Sequence, residues 1–370
     1  MILFLHNRYR TTGGEERAVD DLLWLVHEKL GEETALLTRD SATLGRGEAA
    51  AGLLRGGLQP AEVASAVRRT GAKIVHAHNL NPSLGWRALA AARGAGARTV
   101  LHLHNYRLVC AVGTCFTHGA DCTRCHGRNT APGVRRNCRG TGAEAAVYGA
   151  SLALWQRRML KHADAVIVPS TFALRRLQAM GAPLEQSQVH VVGHLVRNAV
   201  EHSTAAQGRH VLVVSRLAPE KGVDVAIDAC AAAGLPLVIA GAGPERAALW
   251  ARATGTQTVF EGRVNDDRLR ELRATAGLAL VPSRSAETFG LAAAEAMAAG
   301  LPVAGSAIGA LPELCDPAGL VAPGDAAALA VVAAARFGDE AAGEAGRRRV
   351  LEIAAPAAVA PALRAVYDSL

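Results

Sequence analysis

The chain alternates short β-branched runs with longer helical stretches, and it does so twice. ILFL at 2–5, KIVHAH at 73–78, TVLHLH at 99–104, AVIVPS at 165–170 and VHVVG at 189–193 are separated by segments such as ERAVDDLLWLVHEKLG and AEVASAVRRTG. Apolar strands joined through helices make a parallel sheet covered on both faces. After the polar stretch NAVEHSTAAQGRH the alternation restarts with VLVVS at 211–215, PLVIAG at 236–241, TVFEG at 258–262, LALVPS at 278–283 and LPVAGS at 301–306. A chain of 370 residues is also too long for one ordinary core. The expected class is therefore α/β, with doubly wound domains at 1–197 and 210–352, a linker at 198–209, and a helix within 353–370 packing back on the first domain. Ligands of open α/β sheets sit beyond the carboxyl ends of the strands, so two such sheets are expected to face across a cleft. Residues directly after strands become the ones to examine.

Composition narrows the partners. Half the residues are hydrophobic and 20% are charged, which excludes a disordered chain. A net charge of +7, from 36 Arg and 4 Lys against 33 acids, favours phosphates, nucleotides, an acidic membrane surface or nucleic acid. The start, MILFLHNRYRTTGG, has too short an apolar run for a secretory signal and fits a first buried strand. No apolar run reaches 18 residues without a charge, so no bilayer span is expected. The expectation is a cytoplasmic protein; the basic segment ASLALWQRRMLKHA reads as core packing with an exposed basic edge, with an amphipathic helix at the inner membrane face as the alternative.

The second half carries the clearest chemistry. Arg216 directly follows VLVVS, and Lys221 stands at the entry to a helix; a planar fork and a mobile point charge together suit a diphosphate. The plainer alternative is a solvated turn with an Arg216–Glu220 pair. Gly241 and Gly243 lie between a strand and a helix and read mainly as a tight turn, since GxG lacks the third glycine of a dinucleotide fingerprint. Val264, after TVFEG, could offer backbone atoms to a planar base. SAETFGLAAAEAMAAG places Glu287 in a loop and Glu295 on the following helix. The backbone amides of Phe289, Gly290 and Leu291 at that helix start suit an anion. Helical side chains tilt toward the N-terminus, which brings Glu295 back along the same region. Two acids flanking an anion site can accept hydrogen bonds from neutral hydroxyls, as a phosphate between two sugars requires.

These residues resemble retaining glycosyltransferases of the GT-B fold, glycosyltransferase family 4. The Glu287…Glu295 pair is similar to that family's E-x7-E motif and SRLAPEKG to its phosphate-binding strand end, while GAGPERAAL, FEGRV and LPVAGSAIGALPEL follow in the family's order. The resemblance implies two Rossmann-like domains and a nucleotide-sugar donor, UDP before GDP. It implies that Arg216 and Lys221 bind the diphosphate, Glu295 the ribose, and Glu287 the transferred sugar, with backbone contacts from Phe289, Gly290 and Leu291. TTGGEERAV resembles the family's glycine loop, which places Gly13 and Gly14 near the diphosphate and acceptor. His104 matches the histidine beside the reacting carbon; His102, on the same face of an extended strand, stays an alternative, as does a buried core role for either. Arg197-Asn198-Ala199 stands where the family often has Pro-Asn-Gly. With no Asp-x-Asp metal motif in a suitable place, no cofactor is expected for catalysis. The acceptor would be a sugar, a lipid-linked saccharide or a small molecule.

Five of seven cysteines crowd between 110 and 138. Cys122 and Cys125 make C-x2-C, and Cys110 with Cys138 could complete four thiolates for a structural zinc; reduced thiols are the alternative. The arginines of this loop, Arg124, Arg128, Arg135, Arg136 and Arg139, could meet an acidic acceptor or a membrane, or form a solvated face. A zinc-bearing nucleic-acid-binding protein would explain Cys and Arg but leaves Glu287, Glu295 and Lys221 without a purpose, and 4% aromatic residues serve base stacking poorly, so no nucleic-acid partner is expected. An epimerase or phosphorylase of the same fold is the other alternative.

Overall fold

The computed structural model describes residues 1–9, 13–197 and 203–370. It divides into two compact units, one of Met1–Thr117, Cys122–Leu195 and Val359–Leu370, the other of His118–Asp121 and Val196–Ala358. Asn198 and Ala199, and with them part of the expected linker, lie outside the described residues, as do Thr11 and Thr12 of the glycine loop.

The first unit holds a six-stranded parallel sheet: β1 (Ile2–Arg8), β2 (Thr34–Asp40), β3 (Ile74–Ala77), β4 (Arg98–His102), β5 (Ala165–Val168) and β6 (Val189–Val191), in the order β2-β1-β3-β4-β5-β6. The order reverses between β1 and β3, a switch point at which loops from the two strands diverge. Phe4, Val100 and Ile167 form its core with Leu22, Leu25 and Val26 of the helix Gly14–Glu28. Val359, Leu363, Val366 and Tyr367 of the helix Pro356–Asp368 join that same cluster, so the end of the chain packs on the sheet where the chain began.

The second unit has β7 (His210–Val214), β8 (Leu237–Ala240), β9 (Thr258–Gly262), β10 (Ala276–Val281), β11 (Val303–Ser306) and β12 (Leu320–Val321), again all parallel, in the order β9-β8-β7-β10-β11-β12. Its switch point lies between β7 and β10. The helices Val223–Ala233 and Ala326–Arg336 cover one face through Val225, Ala226, Ala229, Leu329 and Ala333.

Within the two six-stranded sheets, two strands escaped the sequence reading, β2 (TALLTRD) and β12. Both are edges of their sheets and only partly buried; β2 follows its short ALL with the polar TRD, and β12 is only two residues long. The expectation that nothing is apolar and long enough to span a bilayer also needs correction: Glu340–Asp368 is long and apolar enough to cross a membrane by length and composition. In the structure this stretch is two helices, Glu340–Ala354 and Pro356–Asp368, broken at Ala355. Val350 and Ala354 are buried in one apolar cluster, Val359 and Leu363 in another.

Candidate active site

Beyond β7 the chain runs through Arg216 into a short turn, Pro219–Lys221, closed by Gly222 at φ 62°. A Cβ on Gly222 would lie 2.1 Å from the carbonyl oxygen of Pro282, so only glycine lets this turn pass so close to the end of β10. That crossing brings Lys221 to Glu287: Lys221 Nζ donates to Glu287 Oε1 at 2.7 Å, and Ser283 Oγ donates to the same oxygen at 2.6 Å. The backbone of Glu287 is held as well, its carbonyl accepting from Ala310 N at 2.8 Å. Burial alone would raise the Glu287 carboxyl, but the charge and hydrogen bond of Lys221, the Ser283 hydroxyl and the charge of Arg216 outweigh it and hold the group below the usual range. It is an anion clamped between a cation and a hydroxyl.

Arg216 is paired with Glu220, and its side chain is 45% exposed. The solvated-turn alternative thus describes this pair as it stands, with the guanidinium at the surface of the strand end. Glu220 also ties two loops, its carbonyl accepting from Arg284 N at 2.9 Å and Ser285 N at 3.2 Å.

Glu295 already has a protein partner. On the helix Leu291–Ala298 it is ion-paired with Arg273 of the helix Asp266–Ala274, the two side chains 11% and 13% exposed. A carboxylate this buried needs a partner charge, and no motif in the sequence marked Arg273 as that partner. Gly290 caps the helix at φ 93°, with no side chain capping the first turn. The Phe289 ring is packed into the core beside Leu311 and Leu314, which leaves only its backbone for a ligand. Gly241 and Gly243 are required by their own neighbours, since Cβ atoms there would stand 1.8 Å from Ser215 O and 2.2 Å from Leu217 O. Val264 turns its side chain into an apolar cluster with Leu212 and Leu272.

The first unit gathers six histidines on one side of its sheet. His6 lies on β1, His76 on β3 with His78 just beyond, His102 ends β4 with His104 two residues on, and His194 follows β6. Alternate residues of a strand share a face, so His76/His78 and His102/His104 form two adjacent columns. Successive rings stack: His102 on His104 with centroids 4.3 Å apart, His104 on His194 at 5.1 Å, His76 on His78 at 4.6 Å. His78 Nδ1 and His104 Nε2 share a proton at 2.7 Å, and His76 Nδ1 pairs with the Tyr367 hydroxyl at 2.7 Å. Desolvation, helped by the neighbouring rings, pulls His76 and His104 down to about 3 and His78, His102 and His194 well below the usual imidazole value. All five are neutral at pH 7.

Next to His104 lies a polar group that the sequence reading missed. Tyr9 Oη donates to Glu15 Oε2 at 2.7 Å, Asn105 Nδ2 donates to the Tyr9 oxygen at 3.1 Å, and the Arg107 guanidinium sits 4.5 Å over the Tyr9 ring. Burial raises the Glu15 carboxyl. A cavity lined by Glu15, His78, His104, Asn105, Arg107 and Trp155 opens there. Gly13 precedes the helix Gly14–Glu28, and Glu16 fastens that loop by accepting from Gly13 N at 2.7 Å and Tyr9 N at 3.1 Å.

Cys110, Cys115, Cys122, Cys125 and Cys138 line a second, smaller cavity with Met180. Four of these sulfurs have partners among the neighbouring groups: Gly113 N for Cys110, Met180 Sδ for Cys115, Thr130 O for Cys125 and Thr117 Oγ1 for Cys138, with Cys110 and Cys115 also hydrogen-bonded to each other. Among the described residues, the side-chain groups close enough to share one metal ion are histidine sets, not the expected Cys110, Cys122, Cys125 and Cys138. The hydrogen bond from Cys115 draws the Cys110 thiol down to about 6.

The family described as Glycosyl transferases group 1 matches residues 198–336, and the Glycosyl transferase 4-like domain matches 37–194. A GDP-mannose-dependent alpha-(1-6)-phosphatidylinositol dimannoside mannosyltransferase of Mycobacterium tuberculosis is 47% identical over 105 residues, 27% of each chain. A GDP-mannose-dependent alpha-mannosyltransferase of the same species is 33% identical over 178 residues, 46% of each chain. These matches span between about a quarter and a half of the curated relatives. Sucrose-phosphate synthase from Thermosynechococcus elongatus has the same fold, with a TM-score of 0.74 at 19% identity over 100% of this chain and 99% of that one. Anabaena Alr3699/HepE in complex with UDP superposes with a TM-score of 0.67 at 18% identity, each chain covered in full.

Proposed function

Since the chain belongs to the glycosyl transferases group 1 family with a glycosyl transferase 4-like first half, we propose that it moves a hexosyl group from a nucleoside diphosphate sugar to an acceptor hydroxyl with retention of configuration. The observation that carries this reading is the Lys221–Glu287–Ser283 cluster at the strand ends of the second unit. A carboxylate held anionic by one cation can accept from sugar hydroxyls with an oxygen the clamp does not consume. Lys221 is then positioned to let a bound diphosphate share its charge, and Arg216, at the surface, can exchange Glu220 for a phosphate. The leaving group gains negative charge as the glycosidic bond to phosphate breaks. Preorganised donors at that point, including the backbone amides of Gly290 and Leu291, lower the barrier; one such donor is worth about 10²–10³ in turnover. Retention follows when the acceptor attacks from the leaving-group side and a phosphate oxygen takes its proton, which needs no enzyme nucleophile.

Glu295 is assigned to the ribose, with Arg273 holding the carboxylate in place, and Val264 offers its backbone to the base. Gly13, Gly14 and His104 are assigned to the same reaction on the family resemblance. The polar cavity at Glu15, Asn105 and Arg107 suits a hydroxyl-bearing acceptor. The named relatives support GDP-mannose as a donor and the UDP complex supports a UDP-sugar, so both are tested together. Purified protein should release nucleoside diphosphate from one of them, and Glu287→Gln should lower kcat by at least about 10². Full turnover in that variant, or binding of neither donor by calorimetry, would refute the assignment.

A further inference from the structure

We propose that His102, His104 and His194 form a binding site for a divalent transition-metal ion of the zinc type. One ring nitrogen from each lies within 4.8 Å of the others. Tetrahedral zinc with nitrogen ligands at 2.0–2.1 Å sets those nitrogens about 3.3 Å apart, so the set closes on an ion by moving about an ångström or so. The rings lie nearly parallel, 11° between His102 and His104 and 1° between His104 and His194. Turning them toward a common point uses χ2, a broad torsion.

Two further observations point to a ligand. His102 is 2% exposed, and its Nε2 has no hydrogen-bond partner. Meanwhile its Nδ1 faces His76 Nε2 at 3.3 Å, and His76 Nδ1 is in turn bonded to Tyr367 Oη at 2.7 Å. His104 is braced in the same manner by His78 at 2.7 Å. Metal-binding histidines are oriented through their second nitrogen, and here β3 supplies both braces. An overlapping set, His76, His78 and His102, has the same spacing, but both nitrogens of His76 are already engaged, which makes it a support. His102 and His104 also line the cavity beside Glu15, which gives the ion a route in and room for a fourth ligand. Neutral imidazoles suit zinc, cobalt, nickel and copper, whereas magnesium and calcium prefer oxygen.

The proposal does not depend on the transfer reaction and is tested apart from it. Co²⁺ added to the metal-free full chain should give visible d–d absorption that saturates near one equivalent and is displaced by Zn²⁺. His194→Ala and His102→Gln should each weaken binding by about 10-fold or more, while the double variant Cys122→Ser/Cys125→Ser keeps the band. No band, a band unchanged in both histidine variants, or a band lost with the cysteines would overturn the proposal. His194 is outside the central strands, so its variant decides the matter even when His102→Gln does not fold.

Discussion

Replacing Lys221 by Met tests the clamp on Glu287 directly. The substitution keeps the aliphatic stem and removes the cation that donates to Glu287 Oε1 at 2.7 Å. Removing one partner of a buried pair costs about 3–5 kcal/mol, whereas an exposed pair is worth about 0–1 kcal/mol. With the side chains 26% and 17% exposed, this pair lies nearer the buried limit. Ser283 still donates to the same oxygen, so a loss of about 2–3 kcal/mol is expected at pH 7. For a unit of this size that lowers Tm by roughly 5–10 °C. The pH dependence gives the sharper signature. In the wild type the Glu287 carboxyl is depressed, so its contribution is present above the unfolded value of about 4.3 and is lost as pH falls through the lower folded value. In Lys221→Met, burial becomes the dominant influence and raises the folded value above the unfolded one. The variant then gains stability on acidification, because protonation neutralises a buried, unpaired charge. The difference between wild type and variant should therefore shrink from pH 7 to about pH 5. Thermal unfolding at both pH values, with Lys221→Met/Glu287→Gln as the pH-insensitive control, measures this. A gap that stays constant or widens would refute the reasoning.

Other perturbations separate packing from charge. Arg273→Ala removes the guanidinium paired with the buried Glu295 and should cost about 3 kcal/mol, with part of it recovered in Arg273→Ala/Glu295→Gln; denaturant midpoints of the cycle give the coupling. Gly241→Ala puts a Cβ 1.8 Å from Ser215 O and should abolish cooperative unfolding of the second unit. Gly255→Ala, at φ 82° with open space around it, should cost only about 1–2 kcal/mol, as calorimetry can show. Tyr367→Phe removes the hydroxyl paired with His76 Nδ1 and should cost about 1–3 kcal/mol in urea, the penalty of an unsatisfied buried imidazole.

The α/β class, the duplicated pattern and ten of the twelve main strands were legible in the sequence, because buried parallel strands write themselves as short apolar runs. Strands β2 and β12 were not, since β2 runs from its short apolar ALL into the polar TRD and β12 is only two residues long. Glu287, Lys221 and Glu295 were legible as residues of interest from their places after strands and at a helix start. Their partners were not: Lys221 meets Glu287 across 66 residues of chain, and Arg273 meets Glu295 across 22. The repeated His-x-His in KIVHAH and TVLHLH marks two histidine columns, one on each of two adjacent strands. His6, His194 and Tyr367 carried no such mark. Periodicity and strand-end position are local properties of the chain, so the sequence by itself determined most of the buried strands and which residues stand at their ends. Strand order and register act between distant segments, so only the tertiary structure decided that Glu287 is clamped, that Glu295 is already paired, and that five imidazoles stack over one sheet with His6 edge-on to them.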